Sequence, residues 1–440
     1  MMYTNKQLLQ LTLPLFAEQF LIVFVGVADT FMVSYAGEAA VSGVALVDTI
    51  SFLITAVLGA LCTGGAVVAS QYLGSGDRQK VALTGRLLLG GALLIGLVIL
   101  AGVELLGAPA LRLIFGNVEA DVMQSARDYF RIVGFSYPFL AVYSAITALY
   151  RSQGNSMISM VSSLVVNLIN VAGNFWFIRI MGLGAGGAAL ATALSRGVVC
   201  LLLCALVAHS GMLHDPGTVT LADCRSLTGK MLRIGVPTGV SSLFSLGKLL
   251  VQQLYASLGT VALAANAAAG ALSCIATLPG GAISLAMLPV IGQAIGAGKP
   301  DEARRLGRKL LAIAYVLMLG TNLLVYIFLP QLSGLYGLTA ETTAVVHDLL
   351  LWHCIFASLF YPAGFCIPAA LRAAGDVRYP MVISVASMLV FRVGLSFVFV
   401  RGFGLGVVSI WMAIFVDWGF RAVLFGLRFH SNIWQKKKLL

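Results

Sequence analysis

The sequence predicts an all-α integral membrane fold of twelve transmembrane helices, arranged as two parallel-repeat six-helix lobes. Three observations lead there. Of 440 residues, 59% are hydrophobic and only 10% charged, with a mean hydropathy of +0.96, whereas a soluble domain carries roughly a quarter charged residues. Apolar runs long enough to cross hydrocarbon, ~20 residues each, recur along the whole chain. The second half of the chain also resembles the first at a shift of about 222 residues.

The first six runs lie near 10–36, 45–72, 84–107, 128–151, 157–180 and 184–208, and short polar connectors separate them. The other six lie near 231–258, 265–295, 308–330, 347–371, 379–401 and 405–428. The first, second, seventh and eighth are longer than a bilayer requires, so they tilt or project beyond the lipid. "MMYTNKQLLQLTLP" runs directly into the first span without a basic region, a short apolar core and a small-residue cleavage site. The first helix is therefore expected to act as its own insertion signal.

The net charge of +11 is placed as a topology signal rather than as a nucleic-acid surface. With the N-terminus inside, about 20 Lys and Arg fall in cytoplasmic segments and about 5 outside, the positive-inside pattern. The clusters "GSGDRQK", "GAGKPDEARRLGRK" and "QKKKLL" all lie on that side, which makes both termini cytoplasmic in a multi-pass protein of the cell inner (plasma) membrane. The seven cysteines are scattered, with no CxxC, and read as small core residues rather than a disulfide or zinc framework.

The repeat pairs "LLQLTLP" with "MLRIGVP", "SQYLGSGD" with "GQAIGAGK", "LYRSQGNSMISM" with "ALRAAGDVRYPM", and "GLGAGGAALA" with "GLGVVSIWMA". Six spans per copy bring both copies in from the same side, so an axis along the membrane normal relates them. The expected organisation is an N-lobe over 1–208, a cytoplasmic linker over 209–230 rich in charge, Pro, Gly and Thr, and a C-lobe over 231–440. Two such lobes suit alternating access.

Charges inside the spans are the candidate functional groups, because an unpaired charge in hydrocarbon costs at least ~2.5 kcal/mol. Asp29 sits in "FLIVFVGVADTFMV", and Glu18 lies eleven residues earlier on the same helix face, roughly 16 Å away along the axis. Each carboxylate serves either an ion pathway or a structural hydrogen bond. In "VVNLINVAGNFWF", Asn167, Asn170 and Asn174 form a stripe at i, i+3, i+7, suited either to holding a cation or carboxylate or to interhelical packing. Lys248 lies mid-span, and Arg392 and Asp417 sit on consecutive spans as a structural ion pair. Arg196 is a further in-span cation. Pro14 and Pro237 occupy matching places in the two repeats and bend or kink their helices. Tyr35, Asn167, Lys248, Tyr143 and Phe244 are the candidate substrate-cavity residues, with Lys248 facing the cavity or a counter-ion and the aromatics equally suited to ordinary packing.

Enzymatic motifs fail on context. Gly182, Gly184 and Gly187 satisfy GxGxxG, but no strand precedes them and no acid follows at the required distance. The five histidines form no HExxH, and no P-loop lysine follows a glycine-rich turn. The chain is read as a non-enzyme without cofactor or metal site.

The ordered set "LPLFAEQFLIVFVGVADTFMVSYAGEAAVSGVAL", "SQYLGSGD", "LYRSQGNSM", "NVAGNFWF", "GLGAGGAALAT" and "IWMAIFVDWGFRA" resembles the multidrug and toxic compound extrusion (MATE) family over nearly the whole chain. The resemblance implies a V-shaped, two-lobe antiporter that exports organic compounds, often cationic or amphipathic drugs, in exchange for H+ or Na+. It implies that Asp29 is the first-span coupling acid, spaced from Pro14 as in the family, with Asn170 and Thr192 in the same N-lobe site. Asn174 stands where one branch has a second Asp. Ser245 and Tyr361 stand where another branch has C-lobe acids, so coupling through the N-lobe is expected. Membrane lipid is the surrounding partner, nucleic acid is not expected, and the protein is read as monomeric. The alternative is a flippase for a lipid-linked saccharide or related lipid, which the in-span Lys248, Arg196 and Arg392 favour.

Overall fold

A computed structural model describes the chain except residues 1–2, 117, 215, 218, 245–246, 335–336 and 438–440 and the side chains of Val27, Lys248 and Leu249. The described residues are almost wholly helical and contain no strand. The first repeat comprises α1 (Asn5–Ser34), α2 (Glu38–Ser75), α3 (Arg78–Phe115), α4 (Ala120–Gly134), α5 (Tyr137–Ser152), α6 (Met157–Asn174) and α7 (Gly184–Ser210). After α8 (Leu221–Phe244) come α9 (Gly247–Ser257), α10 (Thr260–Gly296), α11 (Pro300–Ile327) and α12 (Leu329–Gly334). The chain ends with α13 (Ala340–Tyr361), α14 (Ile367–Ala373), α15 (Arg378–Ser387) and α16 (Val407–His430).

Ten described stretches are long and apolar enough to cross a membrane, and the pair α4 and α5, bent by 50°, makes an eleventh. The bend interrupts the predicted run 128–151 where Pro138 opens α5, because proline has no N–H to donate back to the end of α4. The predicted seventh run is divided into α8 and α9. The third is longer than its apolar core: Asp77 caps α3 by accepting from the Lys80 amide at 3.0 Å, which starts the helix before the hydrocarbon begins. Wider π-helical turns occupy Phe175–Ile180, Pro362–Cys366, Met388–Leu395 and Val398–Gly402.

The internal repeat is visible in the backbone. Glycines with positive φ recur about 222 residues apart, Gly37 with Gly259 (97° and 96°), Gly154 with Gly375 (86° and 89°), and Gly182 with Gly404 (67° and 65°). Side chains with a Cβ rarely adopt this conformation, so the same turns enter or leave corresponding helices in each half.

Packing divides the chain into one unit of Met1–Gln19 with Val240–Leu440 and another of Phe20–Gly239. The division falls inside α1. Leu8, Leu11 and Leu15, spaced i, i+3, i+7, are buried with Ala282, Ala286 and Val290 of α10, whereas Val33 joins Val47, Tyr129 and Val133 in the other unit. α8 likewise packs its first part with the first repeat. A Cβ on Gly64 of α2 would lie 2.3 Å from the Met231 carbonyl oxygen of α8. Gly64→Ala is therefore expected to cost about 1–3 kcal/mol, because backbone cannot rotate out of the way as a side chain can. Thermal unfolding in detergent checks this, with Gly90→Ala as a neutral control since a Cβ there meets nothing within 4 Å.

Candidate functional site

Within the unit Phe20–Gly239, α1, α2, α4, α6 and α7 enclose a cavity of about 300 Å³. Its polar lining comes from Asp29, Thr30, Asp48, Tyr129, Asn167, Asn170, Asn174, Thr192, Ser195 and Arg196. The sequence pattern explains the placement. On α6 the asparagines fall on one face, and the helix changes to the π-helical turn immediately after Asn174. On α7, Thr192 and Arg196 are one turn apart and face the same way.

Four of the predicted residues form one hydrogen-bonded chain. The Asn174 side-chain amide donates to Asp29 Oδ1 at 2.7 Å and to Asn170 Oδ1 at 3.1 Å. Asn170 in turn donates to Thr192 Oγ1 at 3.2 Å. Asn170 and Asn174 are buried, yet Asn174 Oδ1 has no hydrogen-bond partner, and neither has the Asn167 amide nitrogen. Buried polar atoms are usually satisfied, so the cavity leaves one acceptor oxygen and one donor nitrogen without partners next to a carboxylate.

Asp48 and Arg196 complete the charge set. Both are close enough to Asp29 to act on it electrostatically, and Arg196 Nη1 donates to Ser136 Oγ at 2.7 Å where α4 meets α5. The sequence reading singled out Arg196 but not Asp48. The signal was present, because Asp48 is the only acidic residue in the run 45–72; its position three residues into that run reads as interfacial.

Other predicted residues lie elsewhere. Glu18 is buried in the part of α1 that packs with the second repeat and does not line the cavity, as its distance along the helix from Asp29 requires. Among the substrate-cavity candidates whose side chains are described, Asn167 is in the lining and the three aromatics are not. Tyr35 is 52% exposed, edge-on to Phe31 and 4.7 Å under the Arg179 guanidinium. Tyr143 packs with Ile146, Tyr150 and Val199, and Phe244 is 43% exposed. The Lys248 side chain and Ser245 lie outside the described residues. Pro14 sits inside a continuous α1.

The predicted pair of Arg392 and Asp417 is a triad. Asp417 is fully buried and meets Arg421 Nε at 2.8 Å, and Arg392 Nε at 3.4 Å without hydrogen-bond alignment. Arg421 is the nearer partner because it lies one turn further along α16, at i+4. It also donates to Ser387 Oγ at 2.8 Å and to the Ser384 carbonyl at 3.1 Å. At the repeat shift of about 222 residues, Arg392 corresponds to Asn170 and Asp417 to Ser195. Where the first repeat has amides around a cavity, the second has an internal cation.

The MatE sequence profile matches this chain twice, over residues 14–176 and 237–398, one match per repeat. An uncharacterized transporter of Bacillus subtilis is 28% identical over 437 residues, covering 98% of this chain and 95% of that protein. A probable multidrug resistance protein NorM of Thermotoga maritima is 25% identical and covers 99% and 94%. Among solved structures, a MOP superfamily transporter from Pyrococcus furiosus superposes with a TM-score of 0.88 at 20% identity, over 98% of this chain and 97% of that one. A Vibrio cholerae MATE transporter superposes with 0.87 at 20% identity, over 99% and 98%. The doubled profile match, covering well over half of the sequence, places the chain in the MATE family of multi-pass membrane transporters.

Proposed function

We propose that this chain is a secondary active exporter that exchanges small organic compounds, cationic or amphipathic, for H+ or Na+ by alternating access. The observation that carries the reading is the Asp29–Asn174–Asn170–Thr192 chain beside an unpartnered amide oxygen in a membrane-embedded cavity. A carboxylate beside a free amide oxygen can take up a proton or a hard monovalent cation. Taking up that ion changes the cavity charge and weakens the hold on a cationic substrate, so ion entry and substrate release are linked. The names of relatives as probable multidrug resistance proteins support the substrate class.

In this reading residues 1–208 and 231–440 are the two halves that alternate, and Pro14 lets α1 change shape as Asp29 changes charge. The protein works as a monomer among inner-membrane lipids with both termini cytoplasmic. The test is efflux of a fluorescent organic cation from proteoliposomes under an imposed proton gradient without sodium, and under a sodium gradient at constant pH. Efflux driven by one of the two supports the reading and names the ion; efflux indifferent to both rejects it.

A further inference from the structure

Within the unit of Met1–Gln19 with Val240–Leu440, α1, α10 and α11 enclose a second cavity, a groove of about 490 Å³. That volume lies in the range of small-molecule sites, about 300–1,000 Å³. On α11 it is lined at one-turn intervals by Lys309, Ile313, Leu317 and Thr321, a stripe about 18 Å long. On α1 it runs from Asn5 past Leu9 and Leu13 to Phe16, about 16 Å. Both lengths are close to one leaflet, half of a ~30 Å hydrocarbon core.

The chemistry along the groove is uneven. Leu9 and Leu13 are each 61% exposed and Leu317 is 43% exposed, so its rim is apolar and open to acyl chains. Lys309 is the one charged residue of the lining and marks the end where α1 begins. Its ammonium donates to the Asn5 side-chain oxygen, a neutral partner. Among the described residues no carboxylate pairs with it. An ammonium has three N–H donors, so two remain after Asn5. At the repeat shift of about 222 residues, position 309 corresponds to Leu87, and the cation is no part of the doubled helix pattern.

We propose that this groove binds an anionic phospholipid, with its phosphate on Lys309 and an acyl chain between α1 and α11. An unmatched cation at one end of a leaflet-long apolar channel complements a molecule with one anionic head and a long tail. A zwitterionic headgroup brings its own ammonium and gains less from Lys309. With both termini cytoplasmic, the lipid belongs to the inner leaflet, where juxtamembrane lysines meet anionic headgroups.

The experiment is native mass spectrometry of the delipidated full-length protein, titrated with phosphatidylglycerol and with phosphatidylcholine of the same chain length. The first phosphatidylglycerol is expected to bind about five-fold tighter than the first phosphatidylcholine, the contribution of one lysine near an anionic headgroup. Lys309→Gln should abolish that preference and Lys309→Arg should keep it. Arg308→Gln, at an exposed neighbour outside the groove, should also keep it. Phosphatidylglycerol with short chains should bind more weakly than the long-chain form, and excess inorganic phosphate should not displace the long-chain lipid. Equal affinities in the wild type, or a preference that survives Lys309→Gln, overturns the proposal. So does an equal loss in Arg308→Gln, which would indicate a diffuse basic surface. Displacement by inorganic phosphate, or indifference to chain length, would make the site one for a free anion and overturns it as well.

Discussion

Asp29→Asn is expected to reduce ion-gradient-driven efflux of an organic cation to the level of protein-free vesicles, while the protein stays folded. The substitution removes only the titratable charge. The amide that replaces the carboxylate keeps an acceptor oxygen for the Asn174 donor now 2.7 Å from Asp29, so the connections to Asn170 and Thr192 persist and the unfolding midpoint in detergent should move little. Binding of the probe without a gradient should survive in weakened form, because the cavity walls remain. That combination distinguishes a coupling group from a packing group: a packing group would lose stability and transport together. Full gradient-driven transport in the variant would assign coupling to another residue.

The second large effect is on stability. Asp417→Asn is expected to cost about 3–5 kcal/mol, because it leaves two guanidiniums facing a buried site without a counter-charge. Asp417 is wholly buried, and its partners Arg392 and Arg421 are 18% and 10% exposed, so water can compensate little. The readout is the thermal unfolding midpoint of the detergent-solubilised protein, which should fall by several degrees. Asp417→Leu combined with Arg421→Met should recover part of the loss, since it removes the charge and its nearest partner together. An unchanged midpoint for Asp417→Asn would show that the triad contributes no net stabilisation.

These two acids also show how the halves have diverged. The first repeat has a cavity lined by neutral amides. At the corresponding place the second repeat carries Arg392, a covalently attached cation 3.4 Å from an Asp417 that it shares with Arg421. The candidate coupling groups accordingly lie in one half only, although the helix pattern is doubled.

The helical membrane class, the doubling and the in-span acid with its asparagine stripe were all legible in the chain before any coordinates. Each depends on local composition or spacing: a span must satisfy its own backbone within the bilayer, and a stripe follows from helical periodicity. Tertiary structure alone decided which faces meet. Asn174 reaches Asp29 across 145 positions, Asp48 turns into the same cavity, Arg421 displaces Arg392 as the nearer partner of Asp417, and α1 divides its packing at Gln19. Glu18, Tyr35, Tyr143 and Phe244 had equally suggestive residue types and fell outside the cavity. The physical reason is that hydropathy sets how long a helix is and where it crosses, while its rotation about its own axis is set by the neighbours it packs against.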